Sequence, residues 1–273
     1  MSASAMSNRS FVTNIGIYAY AAGAIALGLI GIAWGDFASS WQLVGPAVPA
    51  RTLLAYFTAA CELGAGLLLL WPRTARAGAA LLTVLFSVFT LLWIVRALAD
   101  PRIYDSWGNV FEELSLVIAG LVLCAALGPR ESALARRETQ IGRLYGICVV
   151  SFGVVHVFDF PGLPAFVPKW IPPGQLFWAV TTTVCFFLAA LAILSGVLSA
   201  LAMRWLTAMI LGFELLLWLP KLFSTPHDHF VWSANGISCA LTGACWVVAD
   251  STAKTANRRA MAMHADRAVG SSA

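Results

Sequence analysis

The chain has 273 residues, 60% of them apolar and only 11% charged, with a formal net charge of +4 and a mean hydropathy of +0.81. A soluble domain carries about 25% charged residues, so this supply cannot cover an aqueous surface, and a disordered chain would need the opposite bias. The composition predicts an all-α, polytopic integral membrane protein.

A helix crossing about 30 Å of hydrocarbon needs roughly 20 residues. Residues 1–14 are polar and show no cleavage pattern, so the first apolar stretch, 15–34, is expected to stay as a span. Spans at 52–71, 77–98 and 109–128 follow, separated by Pro46 and Pro49, by Pro72 with Arg73 and Arg76, and by Asp100, Pro101 and Arg102. A charged linker, 129–140, leads to spans at 141–158, 175–197, 201–222 and 231–249. Their breaks are the proline-rich 161–173 segment, the 195–204 stretch ending at Arg204, and the 226–229 loop. Residues 250–273 are small, polar and basic and read as a disordered cytoplasmic tail. Of the 17 Lys and Arg, 12 fall on the side of both termini and the even-numbered connections, which predicts that both termini are cytoplasmic at the cell membrane.

The two halves repeat. A shift of 123 lays Asp36 and Phe37 on Asp159 and Phe160, Val44 on Val167, and Pro49 on Pro172. A shift of 125 lays Leu91, Leu92 and Trp93 on Leu216, Leu217 and Trp218, Arg96 on Lys221, Pro101 on Pro226, and Trp107 on Trp232. Four spans per half is an even number, so the copies are expected to enter the bilayer in the same sense, as parallel four-helix repeats over 15–128 and 141–249. Gly23, Gly28, Gly31, Gly64, Gly66, Gly142 and Gly146 would let helices approach closely.

The second half reads FGVVHVFDFPGLPAFVPKWIP, a helix ending in His before a proline-punctuated loop; the first half reads TAACELGAGLLLLWPRTARAGAALL, a helix with a central Glu and a Gly pair. Both resemble the DoxX-like membrane family, whose unit is a four-helix bundle of this layout. The resemblance implies a fused pair of such units. It also implies an accessory or quinone-binding part in a membrane redox process, since the family's namesakes are linked to thiosulfate oxidation with a quinone acceptor. At the family's polar positions the copies differ: Glu62 faces Cys185 in the alignment of halves, and His156 faces Ala33.

Polar groups within spans are the site candidates, because an acid at the bilayer centre costs about 2.5–3.5 kcal/mol on insertion scales. Glu62 and Glu214 read as a proton-relay or substrate-anchoring carboxyl, or as acids bonded to a neighbouring helix. His156 lies a turn from the end of the fifth span with Asp159 three residues on, on one face. His227, Asp228 and His229 occupy a loop on the same outer side; with His156 and Asp159 they are a candidate divalent-ion set, against a solvated loop and a His156–Asp159 pair. Glu112 and Glu113 are expected to open the fourth span, where acids favour a helix N-terminus. Trp107, Trp170 and Trp232 fit an aromatic belt or an aromatic-walled mouth for an isoprenoid or lipid headgroup.

Six cysteines lie in apolar stretches without a C-x-x-C pair and read as small apolar groups. No nucleotide loop, haem-holding pair of membrane histidines, retinal lysine or nucleophile elbow is legible, and nothing points to nucleic acid. Three functions compete: an accessory membrane subunit holding a quinone, a lipid or a redox partner protein; a small-solute or proton-coupled transporter using Glu62 and Glu214; and an enzyme with an outer-face His and acid site.

Overall fold

The computed structural model describes residues 15–270, whose regular elements are all helices, with no strand among them. Eight helices are long and apolar enough to cross a membrane: α1 (Ile15–Trp34), α2 (Arg51–Leu69), α3 (Ala75–Ala99), α4 (Tyr104–Ala126), α5 (Glu138–Phe158), α6 (Gln175–Ser195), α7 (Ser199–Ser224) and α8 (His229–Gly270), the last spanning over His229–Asn257. The protein is a polytopic helical membrane protein with eight candidate spans, and a bilayer is its medium. The 1–14 segment lies outside the described residues.

Neighbours in sequence pack on each other within each half, α1 to α4 in turn and α5 to α8 in turn. Across the halves, α1 lies along α8, α4 along α5, and α4 also meets α8. These four form the centre. In α8, 83% of the apolar window is buried, against 17% in α7, so α7 belongs to the rim. Leu53 and Phe57 of α2, and Val84, Leu91 and Val95 of α3, turn outward, as lipid requires of rim helices.

The α1–α8 seam is made of small residues. A Cβ on Gly23 would collide with Ala240, one on Gly243 with the backbone of Tyr20, and one on Gly16 with Val247. Lipid tails are as apolar as leucine, so helices associate by close backbone approach. Gly28, Gly31 and Gly66 similarly seat α1 on α2, and Gly146 seats α5 on α6, while Gly64 has open space and Gly142 makes only ordinary contact. Inside this packing, the fully buried Tyr20 hydroxyl donates to Leu116 O at 2.9 Å, and the Tyr145 hydroxyl lies 3.0 Å from Cys245 Sγ.

The break between α6 and α7 falls inside the expected 195–204 stretch: Gly196 at φ +79° ends α6, with its N–H bonded to Ala192 O, and α7 starts at Ser199. Two boundaries differ from the sequence expectation. The fourth helix begins at Tyr104, just past Pro101, five residues earlier than its apolar run suggests. Finally, the 250–270 stretch continues α8 as helix rather than forming a disordered tail; its composition of Ala, Lys, Arg and Met favours helix.

One rim helix is irregular. Pro220 of α7 has no N–H and crowds the carbonyl four residues back. Residues Glu214–Trp218 relieve this with a π turn, in which the Leu219 N–H reaches Glu214 O five residues earlier.

Candidate functional site

The ends of the helices sort into two faces. Trp34 stacks on His229 at 5.1 Å, Ser39 N–H donates to Ser233 Oγ at 3.0 Å, and Tyr104 stacks on Phe158 at 5.0 Å. The odd-numbered connections therefore share one end of the bundle. There the 36–44 loop folds inward. Asp36 pairs with Arg51, whose Nε also donates to Val44 O at 3.1 Å. Trp41 is carried over the bundle mouth, where it stacks on Phe230 at 5.5 Å.

Two adjoining chambers lie in the bundle, the smaller of them touching this loop through Trp41. The inner one, about 170 Å³, is lined by Trp41 and Glu112 from the first half and by His156, Phe186, Phe213 and Ser238 from the second. The outer one, about 420 Å³, lies among α5, α6, α7 and the 159–171 segment, with Asp159, Phe166, Trp178 and Thr182 on its walls. Val155, His156, Phe213 and Trp218 belong to both. His156 is thus the polar group at the partition. Its ring packs edge-on against Phe186 at 4.9 Å, and its Nδ1 is 3.3 Å from Thr183 Oγ1. Lys221 Nζ sits 4.6 Å from the Trp218 ring and 4.8 Å from Phe166, placing a cation over two wall residues of the outer chamber.

The acids divide between two places. Glu62 of α2 is 1% exposed and accepts a hydrogen bond from the Gln42 amide. Glu113 of α4 is also 1% exposed, and neither of its carboxyl oxygens has a partner. Glu112 accepts from Trp41 Nε1 at 2.7 Å. Because α4 starts at Tyr104, both acids sit more than two turns inside it. The N-terminal explanation for Glu112 and Glu113 is corrected: the helix-end field fades within a turn, and these carboxyls belong to the interior. In the other half, Glu214 opens the π turn, with Oε2 buried and unpartnered and with Ser238 of α8 within reach. The Trp218 carbonyl within that turn is taken by Asn235 Nδ2 at 3.1 Å.

The outer-face histidines and acids do not converge. Among the described residues, no three His, Cys, Asp or Glu side chains gather to hold a metal ion, and His156 meets Thr183 rather than Asp159. His229 is held by its stack on Trp34, and Asp228 is occupied in accepting from the N–H groups of Phe230 and Val231, at the start of α8. Trp232 donates to Pro226 O at 2.9 Å and lies 5.9 Å from Trp34, while Trp107 packs beside Trp93, Ala97 and Val110. Trp170 is exposed at the same end. The six thiols are free.

Trp41, Gln42 and Ser238 were not singled out by the sequence. The first two lie in a connection with no periodicity. The third belongs to a polar series on α8, with Ser233, Asn235 and Thr242, that spacing alone would have exposed. Comparison with family models, curated proteins and solved structures finds no match to the chain.

Proposed function

We propose that the chain is a DoxX-like membrane protein made of two fused four-helix units, and that it holds a lipid-soluble quinone or isoprenoid as the ligand-binding component of a membrane redox process. The observation that carries this reading is the pair of chambers meeting at His156. An apolar space of about 420 Å³ falls within the range of small-molecule sites, roughly 300–1,000 Å³. Beyond its partition lie Glu112, Ser238 and the Trp41 indole. An apolar body with one polar, ring-like head matches that division: the tail fills the outer chamber, and the head meets His156, which donates to or accepts from a carbonyl or hydroxyl oxygen.

The fusion is supported by helix boundaries. Adding 123 to the bounds of α1 gives those of α5 to within one residue, and adding 125 to those of α3 gives those of α7 to within one. Exchanging the halves turns the α1–α8 contact into the α5–α4 contact, and both occur. The excess of basic residues near the even-numbered connections supports cytoplasmic termini at a cell membrane.

Gently purified protein, extracted with organic solvent, tests the ligand. A stoichiometric quinone or isoprenoid is expected, with retention of added short-chain ubiquinone weakened about tenfold by His156→Ala, the loss of one polar contact to a buried head. Wild-type protein that carries no such molecule and does not bind the added quinone would sink the reading.

A further inference from the structure

At the end of the bundle opposite the chambers, the start of α5, the turn between α6 and α7, and α8 near Ser251 enclose a cavity of about 300 Å³. Two opposite charges line it, Glu138 and Arg143, both from α5. They stand five residues apart, about 7.5 Å along the helix, rather than the three or four at which side chains meet. Among the described residues no ion pair joins them, and Arg143 makes no hydrogen bond. Each is nevertheless held in place. The Arg143 guanidinium lies over Gly196, the left-handed residue that ends α6, where a Cβ would collide with it. Glu138 Oε1 accepts from the Ser251 hydroxyl at 2.5 Å, which leaves its other oxygen to the cavity.

The donors suit a phosphate. Next to Gly196, α7 starts at Ser199 behind a left-handed Leu198, with no side-chain cap, and the Ser199 hydroxyl lines the cavity unbonded. The first N–H groups of a helix have no partner within it and carry the positive end of its dipole. A guanidinium, a hydroxyl and an uncapped helix start around one space are phosphate ligands. The acceptors suit an amine. Glu138 is accompanied by the hydroxyls of Thr139 and Thr255, 3.4 Å apart. A phosphate alone would leave Glu138 without a counter-charge, whereas a ligand carrying both charges satisfies both side chains. Among the described residues no aromatic ring lines the cavity, so a quaternary ammonium has no π face to meet; a primary ammonium brings N–H donors for the carboxylate. The surroundings are apolar: Leu144, Leu194, Val197 and Leu198, each next in sequence to a lining residue, are exposed.

We propose that this cavity binds the headgroup of a phospholipid bearing a phosphate and a primary amine, a phosphatidylethanolamine, from the leaflet at the even-numbered connections. Arg143, Ser199 and the start of α7 take the phosphate, Glu138 takes the ammonium, and the acyl chains leave over the exposed leucines and Val197. The site shares no residue with the chambers and does not depend on the ligand proposed for them.

Native mass spectrometry of the delipidated full chain, titrated with single lipids of identical tails, tests this. Phosphatidylethanolamine is expected to bind at least about tenfold more tightly than phosphatidylcholine or phosphatidylglycerol. Glu138→Gln keeps an acceptor for Ser251 and removes the charge. It should weaken phosphatidylethanolamine about tenfold and leave phosphatidylglycerol no weaker, so that the preference disappears. Arg143→Gln should weaken all three lipids, since each carries the phosphate. Wild-type protein that binds the three headgroups alike overturns the proposal whether or not either variant folds, as does a preference that survives Glu138→Gln. Soluble phosphoethanolamine has both charges without the tails, and is expected to compete only at about a hundredfold excess or more. Competition at equal concentration would overturn the lipid and make the occupant a soluble molecule.

Discussion

Trp41 ties the loop between α1 and α2 to the interior. Its indole N–H is the donor that satisfies Glu112, its carbonyl accepts from the Trp93 indole, and its ring lies on Phe230 of α8. Replacing it with phenylalanine keeps the ring and removes one donor, which leaves a buried acid unsatisfied. Such a loss costs about 1–3 kcal/mol. Trp41→Phe is therefore expected to destabilise the protein by that amount in a mixed-detergent unfolding titration. Glu112→Leu added to it should recover part of the loss, because the orphaned carboxyl is then gone; a double-mutant cycle with no coupling energy would contradict the bond. At this scale the sequence showed where acids enter the membrane but not what they meet. Glu62 stood out by its position in an apolar run, whereas its partner Gln42 lies 20 residues away in a loop. Glu113 was misassigned because Asp105, Ser106 and Asn109 make the first two turns of α4 look like a loop.

Among the elements, helices were legible and their departures from regularity were not. Length and hydropathy set the eight stretches, since each must hide its own backbone groups from lipid. The π turn at Glu214 came from Pro220, a residue whose effect falls a turn upstream of itself. Contacts between helices were legible where glycines cluster, but the partner was not: Gly23 meets α8, at the far end of the chain, while Gly28 and Gly31 meet α2. This seam yields a paired prediction. Gly243→Leu would drive a side chain into the backbone of Tyr20 and should cost about 1–3 kcal/mol or more, as overpacking does. Gly64→Ala meets nothing within 4 Å and should leave stability unchanged or raise it by up to about 1 kcal/mol, since alanine is the better helix former. Thermal midpoints of the two variants measured side by side decide whether the α1–α8 approach is as tight as described.

At the scale of the whole molecule, the halves share a buried interface but not their polar content. Glu62 and Glu113 lie in the first, His156 and Glu214 in the second, and the inner chamber takes Trp41 and Glu112 from one and His156 and Ser238 from the other. The repeat expected from the sequence carried no sign that the inner chamber draws on both halves. Cutting the chain between residues 132 and 133 tests this dependence, because no spanning helix is interrupted there. Co-expressed 1–132 and 133–273 fragments should co-purify through the α1–α8 and α4–α5 contacts and retain ubiquinone together. Either fragment alone, reconstituted in nanodiscs, should insert but hold none, since one lacks His156 and the other lacks Trp41 and Glu112. Retention by the second fragment alone would place the ligand wholly among α5, α6 and α7, and would remove the first half from the site.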